Sequence, residues 1–169
     1  KNGITLTGNY QYSQTKRLYL DSIDVPGITK YSIDNYKGRN HFVELFSSVI
    51  VGKNFTLLQG GDYRYSQMNS QFYSLSSFGP FTSSFKDTSY SQASLYASLL
   101  YHSINEKMNI EAGGRLNVHS RYGSNKTYTF NPSFGFSQHF RLFGSIASAF
   151  KAPSLFQLYS SSSGNSDLK

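Results

Sequence analysis

Five charged side chains lie within predicted strands, that is, within segments of alternating polar and apolar residues. These are the side chains that could bind or react inside regular secondary structure. They are Glu44, Asp62, Arg64, Glu111 and Arg115. Glu111 and Arg115 share a face of one predicted strand, which suits hydrogen bonding or ion pairing with neighbouring strands. General acid–base catalysis would need a second acid and a pocket, and the sequence shows neither. We therefore predict a network of charges without a catalytic residue.

Other reactive residue types give no recognisable site. The four histidines, His41, His102, His119 and His139, share no metal-ligand spacing such as i, i+4 on a helix. The 169 residues include no cysteine, which excludes a disulfide framework, a cysteine metal site and a cysteine nucleophile. Neither a G-x-S-x-G nucleophile elbow nor a G-x-x-x-x-G-K-[ST] phosphate loop occurs. The sequence thus predicts a protein that is not an enzyme and has no metal site and no cofactor.

Aromatic side chains are frequent in the predicted loops, and loops on a rigid scaffold commonly carry binding function. We predict ligand contacts at seven of these aromatic residues and at one arginine, as expected for a bulky, partly anionic ligand. The eight residues are Tyr31, Tyr36, Phe72, Tyr73, Phe78, Phe81, Arg121 and Tyr159.

Composition favours β-structure. Charged residues are 15% of the chain, below the roughly 25% of an ordinary soluble domain, while Tyr, Phe, Thr, Ser and Gly are abundant. No apolar run approaches the ~18 residues of a transmembrane helix, but a transmembrane barrel needs apolar residues only at alternate positions. The net charge of +7 comes from scattered Lys and Arg. Without a basic cluster or an RNA-binding aromatic motif, nucleic acid is excluded as a partner.

The predicted strands determine where these charged and aromatic residues lie in the fold. Alternation predicts seven strands, each antiparallel to the next: residues 4–12, 39–51, 55–67, 87–103, 107–121, 126–138 and 141–150. Tight turns are predicted at Gly52-Lys53-Asn54, Asn105-Glu106-Lys107 and His139-Phe140-Arg141, and a modest loop at 123–125. Two long polar connections span 13–38 and 68–86, although the middle of the first could extend its flanking strands as a hairpin. Pro132 lacks a backbone donor, so a bulge or weakened pairing is expected there.

Loop lengths and charge placement favour an up-and-down transmembrane barrel. Connections alternate between short and longer, as on the two rims of an outer-membrane barrel. The five strand charges all lie opposite the apolar faces, so we predict that they face the lumen, because Lys or Arg toward lipid at mid-depth costs ~2–4 kcal/mol. A soluble β-sandwich has the same period, but its strands are usually ~5–6 residues long.

The last quarter of the chain carries a motif in which F-K-A-P-S is followed by Q-L-Y, a serine-rich loop, G-N and L-K. Its residues are Phe150, Lys151, Ala152, Pro153, Ser154, Gln157, Leu158, Tyr159, Gly164, Asn165, Leu168 and Lys169. This pattern resembles a signature of TonB-dependent outer-membrane receptors. In that family one barrel strand ends in a phrase like F-K-A-P-S-x-x-Q-L-Y, and G-N-x-x-L-K-P-E opens the next strand.

The resemblance implies that residues 1–169 are a segment of a receptor barrel in the bacterial outer membrane. Such receptors take up a scarce nutrient, typically a ferric siderophore, haem, cobalamin or glycan, and the motif is most similar to cobalamin and siderophore receptors. A plug domain inside the barrel couples them to TonB, and nothing in this sequence matches the plug. The implied partners are outer-membrane lipid, the nutrient, the remaining barrel strands and, through the absent plug, TonB.

The predicted fold is all-β, an antiparallel up-and-down transmembrane β-barrel, here a partial barrel of about seven strands. Barrels of plugged outer-membrane transporters have 22 strands, and single-chain bacterial barrels have even numbers, so two unpaired edges are expected. Two alternatives remain open. One is a small self-contained outer-membrane barrel with an adhesion or structural role, and the other is a soluble β-module that binds carbohydrate.

Overall fold

Eight strands form one antiparallel, unclosed sheet in the computed structural model. The structure describes residues 3–25, 28–160 and 164–168, and the side chains of these residues except at 24, 25, 28, 29, 86 and 87. The elements are β1 (Ile4–Val25), β2 (Ile28–Val51), β3 (Phe55–Ser76), β4 (Gly79–His102), β5 (Met108–His119), β6 (Gly123–Gly135), β7 (Arg141–Phe143), β8 (Ile146–Ala147) and α1 (Leu155–Tyr159). The order in the sheet follows the chain from β1 to β7, and β8 pairs with β6. Among the described residues β1 pairs with neither β7 nor β8, so the prediction of an all-β partial barrel is confirmed.

The three tight turns lie close to their predicted positions. Residues 52–54 join β2 to β3, and Gly52 has φ +70°, which glycine adopts without steric cost. Residues 103–107 join β4 to β5. The third turn spans 136–140, slightly earlier than predicted, because Arg141 already belongs to β7.

The two long connections at 13–38 and 68–86 are almost entirely strand, so the prediction of loops there is wrong. For 13–38 the alternative of an extended hairpin is correct, since β1 and β2 reach far into it. In 68–86 only residues 77–78 form the turn between β3 and β4. Neighbouring strands satisfy each other's backbone N–H and C=O groups whether their side chains are polar or apolar. Near β5 the turn lies at 120–122, before the predicted 123–125.

The seventh predicted strand, 141–150, is divided and shorter than expected. β7 pairs with β6 around Phe134, and β8 pairs with β6 around Thr129. Between them the Gly144 N–H donates to the Pro132 carbonyl at 3.0 Å, but Pro132 has no N–H to return the bond. The weakened pairing predicted at Pro132 is therefore present, and it splits the last strand into β7 and β8.

The chain divides into two compact units. Unit 1 comprises Lys1–Tyr10, Phe42–Arg64 and Gln92–Lys151, and unit 2 comprises Gln11–His41, Tyr65–Ser91 and Ala152–Lys169. Strands β1 to β4 contribute to both units, whereas β5 to β8 belong to unit 1 and α1 belongs to unit 2. In the part of the chain that is described, no helix is both long and apolar enough to cross a membrane.

Candidate functional site

Arg115 on β5 is the centre of a polar network in unit 1. Its guanidinium donates to Asp62 Oδ2 at 2.6 Å, to Ser94 Oγ at 3.0 Å and to Asn117 Oδ1 at 2.8 Å. The register of β4 and β5 explains this meeting, since it pairs Ser94 with Asn117 and Tyr96 with Arg115. The Asp62 side chain is 3% exposed and that of Arg115 is 37% exposed. The carboxylate is thus almost removed from solvent, and the arginine supplies the compensating charge.

Glu44 joins the same network through Tyr96. Tyr96 Oη donates to Glu44 Oε1 at 2.8 Å, and Asn9 Nδ2 donates to Glu44 Oε2 at 2.9 Å. Because Tyr96 lies on β4 and Glu44 on β2, the tyrosine must cross β3. It crosses at Gly60, where a Cβ atom would lie 2.8 Å from the Tyr96 hydroxyl, so glycine keeps this path open. The Arg115 guanidinium carbon lies 5.4 Å from the Tyr96 ring centroid, which connects the carboxylate of Glu44 to the arginine.

The other two predicted lumen-facing charges have different partners. Asn131 Nδ2 donates to Glu111 Oε2 at 3.1 Å, and Ser145 Oγ donates to Asn131 Oδ1 at 2.8 Å. The Arg64 guanidinium carbon lies 5.4 Å from the centroid of the Phe42 ring. The structure therefore brings three of the five predicted charges into one network and gives Glu111 and Arg64 separate contacts.

The opposite face of unit 1 is apolar and exposed. Leu45, Leu95 and Leu116 are 55%, 68% and 37% exposed. Side chains alternate between the two faces of a strand, so Leu45 and Leu116 lie on the other side of the sheet from their sequence neighbours Glu44 and Arg115. Unit 1 is thus a two-sided sheet, with a hydrogen-bonded polar face and an apolar face suited to hydrocarbon.

Five of the predicted ligand-binding aromatics lie in unit 2, on β2, β3 or β4 or in the turn between β3 and β4. The ring centroids of Tyr31 and Tyr73 are 6.5 Å apart, and those of Phe72 and Phe81 are 6.2 Å apart. Phe72 and Tyr73 are consecutive on β3 and therefore point to opposite faces. Phe78 lies in the turn between β3 and β4 and is fully exposed. These residues form two separate ring pairs and one exposed tip.

Tyr36 and Tyr159 are brought together with other aromatic residues at α1. The Tyr36 ring centroid lies 5.2 Å from that of Phe156, and the Tyr159 centroid lies 5.8 Å from that of Phe85. Tyr36 is 7% exposed, and its hydroxyl donates to Asp34 Oδ2. Burial and, next, the hydrogen bond to Asp34 raise the pKa of Tyr36. Its hydroxyl is therefore a protonated donor at neutral pH, held inside unit 2.

Helix α1 starts at a capping box that the sequence analysis missed. Ser154 Oγ accepts from the Gln157 N–H at 3.3 Å, and Gln157 Oε1 accepts from the Ser154 N–H at 2.9 Å. Leu155 and Leu158, three residues apart, form the apolar side of the helix and are 7% and 3% exposed. The signal was present in the sequence, because Ser-x-x-Gln is a known pattern for a helix N-terminus.

Arg121, the eighth predicted ligand contact, lies in unit 1 in the turn between β5 and β6. His119 Nδ1 accepts from the N–H of Arg121 at 3.1 Å and from that of Tyr122 at 3.3 Å. The histidine thereby closes the turn, and Arg121 is exposed on it. Within the described ranges, no group of three His, Cys, Asp or Glu side chains could hold a metal ion.

Comparison with known proteins gives a family. Residues 2–169 match the family described as "TonB dependent receptor-like, beta-barrel". Two solved structures are similar to this chain at 16% identity: the RagAB peptide importer in the "open-open" state, with a TM-score of 0.48, and the RagAB peptide transporter, with a TM-score of 0.47. Each match covers 79% of this chain but only 17% of the other chain. Since the family match covers nearly every residue, the chain belongs to the TonB-dependent receptor β-barrel family and is located in the bacterial outer membrane.

Proposed function

We propose that this chain forms part of the wall of a transporter that takes up a scarce nutrient across the outer membrane, with energy supplied through TonB. The match of residues 2–169 to the receptor barrel family carries the proposal. The two-sided sheet of unit 1 supports it, because a barrel wall needs one face for lipid and one for a polar lumen. The role is that of a receptor and transporter, and we propose no reaction catalysed by this chain.

The apolar face of unit 1 is the proposed lipid contact. A tilted strand that spans the hydrocarbon needs ~9–11 residues, and the part of β4 in unit 1, residues 92–102, has about this length. β4 has 24 residues in total, more than twice the length that one crossing needs. Exposed leucines such as Leu95 would be costly in water, whereas lipid tails solvate them.

The polar face of unit 1 is the proposed lumen surface. Its charged residues would be Glu44, Asp62, Arg64, Glu111 and Arg115. Arg115 keeps 37% of its side chain exposed while it neutralises Asp62, so the guanidinium can also meet a polar group from inside the barrel. In this family that group belongs to a plug domain, and the plug is the connection to TonB.

The proposed nutrient contacts are aromatic side chains on the hairpins of unit 2, together with Arg121. Phe81 and Phe78 are 58% and 102% exposed, and exposed rings offer stacking surface to a bulky ligand. Phe72 and Tyr73 point to opposite faces of β3, so only one of the two ring pairs can face the lumen, and we propose the Phe72–Phe81 pair because Phe81 is 58% exposed. The ligand class is a ferric siderophore, haem, cobalamin or a glycan.

Depletion of nutrients from a growth medium tests the proposed function even while the nutrient is unidentified. Three strains are compared: one with the intact full-length receptor, one without it, and one with the receptor but without TonB. Mass spectrometry measures which compounds disappear from a medium that contains all four nutrient classes. We expect one class to be depleted only when the receptor and TonB are both present. Depletion that is the same in all three strains would contradict a TonB-dependent transporter.

Paired substitutions test the proposed nutrient contacts in the same assay. Replacing Phe72 and Phe81 by alanine should slow depletion several-fold, because both rings of the lumen-side pair are lost. Replacing Tyr31 and Tyr73 by alanine is the matched control, since it removes a ring pair from the opposite face. If the control slows depletion more than the test variant, the assignment of faces on the distal hairpins is wrong.

A further inference from the structure

The segment 152–160 contains the most completely buried apolar residues of the described chain. Leu155 and Leu158 on α1 are 7% and 3% exposed, and Tyr36 on β2 is 7% exposed. These three are the buried apolar side chains among the residues that the structure describes, whereas most leucines of unit 1 are exposed. Burial of both leucines of so short a helix indicates a specific docking contact within unit 2.

A polar cluster joins this segment to β2 and β3. Tyr36 Oη donates to Asp34 Oδ2, and Ser70 Oγ donates to Asp34 Oδ1 at 3.5 Å. The side chain of Ser160, which follows α1, also hydrogen-bonds with Tyr36. Ser70 and Ser160 are 2% and 7% exposed. The Tyr36 hydroxyl therefore connects a carboxylate of the hairpin to the end of the helix.

Two ring contacts hold the same segment from two strands. Phe156 packs against Tyr36 of β2, with ring centroids 5.2 Å apart, and Tyr159 packs near Phe85 of β4, with centroids 5.8 Å apart. Together with the two leucines, these contacts involve four of the five residues of α1. The helix thus contacts both β2 and β4.

The segment is built to keep its shape only while it is docked. α1 has five residues, far fewer than the ~12–15 that an isolated helix needs in water. The capping box at its start and the bond from the Asn165 N–H to Gln157 O, at 2.8 Å, close it locally. Pro153 keeps the preceding residue extended, which separates α1 from the strand before it. The helix therefore depends on its contacts with the hairpins of unit 2.

We infer that residues 152–160 form a cap that docks on the hairpins of unit 2, with Tyr36 as the positioning residue that holds it, and that the cap undocks during passage of the nutrient. The passage of the nutrient rests on the proposed function, but the docking can be tested without transport. Phe156, 41% exposed beside Tyr36, is the ring that the docked cap presents at its surface.

Proteolysis of the full-length receptor in outer-membrane vesicles tests the docking. Lys151 is exposed immediately before the cap, so the rate of trypsin cleavage after Lys151 reports how often the cap opens. Tyr36→Phe removes only the hydroxyl, and loss of a hydrogen bond to a carboxylate should speed cleavage about tenfold. Tyr73→Phe is the matched control and should cleave at the wild-type rate, because that hydroxyl belongs to the ring pair on the opposite face.

A second variant keeps the test decisive. Leu158→Ala removes a buried side chain of the cap itself and should speed cleavage at least as much as Tyr36→Phe. Both variants must first show the gel mobility of a folded barrel. Wild-type cleavage rates in both folded variants would overturn the docked cap.

Reversible locking tests whether the cap must open. These 169 residues contain no cysteine, so Ser70→Cys and Ser160→Cys introduce a single pair within them, around the Asp34–Tyr36 cluster, closed by oxidation or by a short thiol cross-linker. We expect the locked receptor to lose nutrient depletion and the reduced receptor to regain it, while each single variant stays active. Full depletion by the locked receptor would overturn the opening step. If the cleavage results are as expected but the wild type depletes nothing, the proposed function fails and the docked cap stands.

Discussion

Replacement of Arg115 by leucine tests whether the polar network of unit 1 stabilises the barrel wall. The substitution removes the guanidinium that lies 2.6 Å from Asp62, whose side chain is 3% exposed. Removing one partner of a buried ion pair costs ~3–5 kcal/mol, because the other charge stays buried without compensation. Since Arg115 is itself 37% exposed, water can enter the vacated space, and we expect the lower end, about 3 kcal/mol.

A second substitution separates the charge from the packing. Asp62→Asn combined with Arg115→Leu leaves a neutral amide in place of the isolated carboxylate. The remaining loss should then be about 1 kcal/mol, the usual value of a net hydrogen bond. We therefore expect the double variant to be more stable than Arg115→Leu alone by about 2 kcal/mol.

The assay is urea unfolding of the full-length receptor in lipid vesicles, with the folded fraction read from the mobility of unheated samples on SDS gels. Arg64→Leu is the matched control, because it makes the same change to a strand arginine that stacks on Phe42, and it should shift stability by less than about 1 kcal/mol. The reasoning is refuted if Arg115→Leu unfolds at the wild-type urea concentration, or if the double variant is less stable than the single one.

Three further predictions follow from the faces and hairpins. Leu116→Arg should lower stability in vesicles by up to ~2–4 kcal/mol in the same urea assay, and wild-type stability would show that this face does not contact lipid. Replacing most of 68–86 by a tight turn should reduce nutrient depletion but not folded gel mobility; undiminished depletion would remove this hairpin from the ligand site. Burial and the hydrogen bond to Asp34 raise the pKa of the Tyr36 hydroxyl above its ordinary 10.0. Docking of the cap is therefore favoured at pH values below 10.0 and is lost as the pH rises through the raised pKa. A nitroxide on Lys151→Cys should become mobile over that range, and adding Tyr36→Phe should abolish the pH dependence.

Strands, turns and faces could be predicted from the sequence because they depend on local properties. Alternation along one strand assigns Arg115 and Leu116 to opposite faces whatever the rest of the chain does. Gly52 marks a tight turn through its own backbone freedom, and Pro132 marks weakened pairing through its missing donor. The motif at the end of the chain indicated the family before any geometry was known.

Which side chains contact each other across the sheet was determined only by the tertiary structure. Asp62 and Arg115 are 53 residues apart, and their contact depends on the registers of β3, β4 and β5 together. Each register is set by turn lengths and by backbone pairing over whole strands, which no single segment specifies. The passage of Tyr96 over Gly60 depends on the same alignment, so the network could not be assembled from strand patterns alone.

The long hairpins and the cap could not be predicted from the sequence either. Polar composition indicated loops at 13–38 and 68–86, but backbone pairing extends strands through polar residues as readily as through apolar ones. The sequence assigned Tyr36 to a loop, whereas in the folded chain it lies on β2 and is buried against a helix from the far end of the sequence. The pattern of one strand determines which face a side chain takes. Which element then covers that face is determined only when distant segments pack, because burial is a property of both partners.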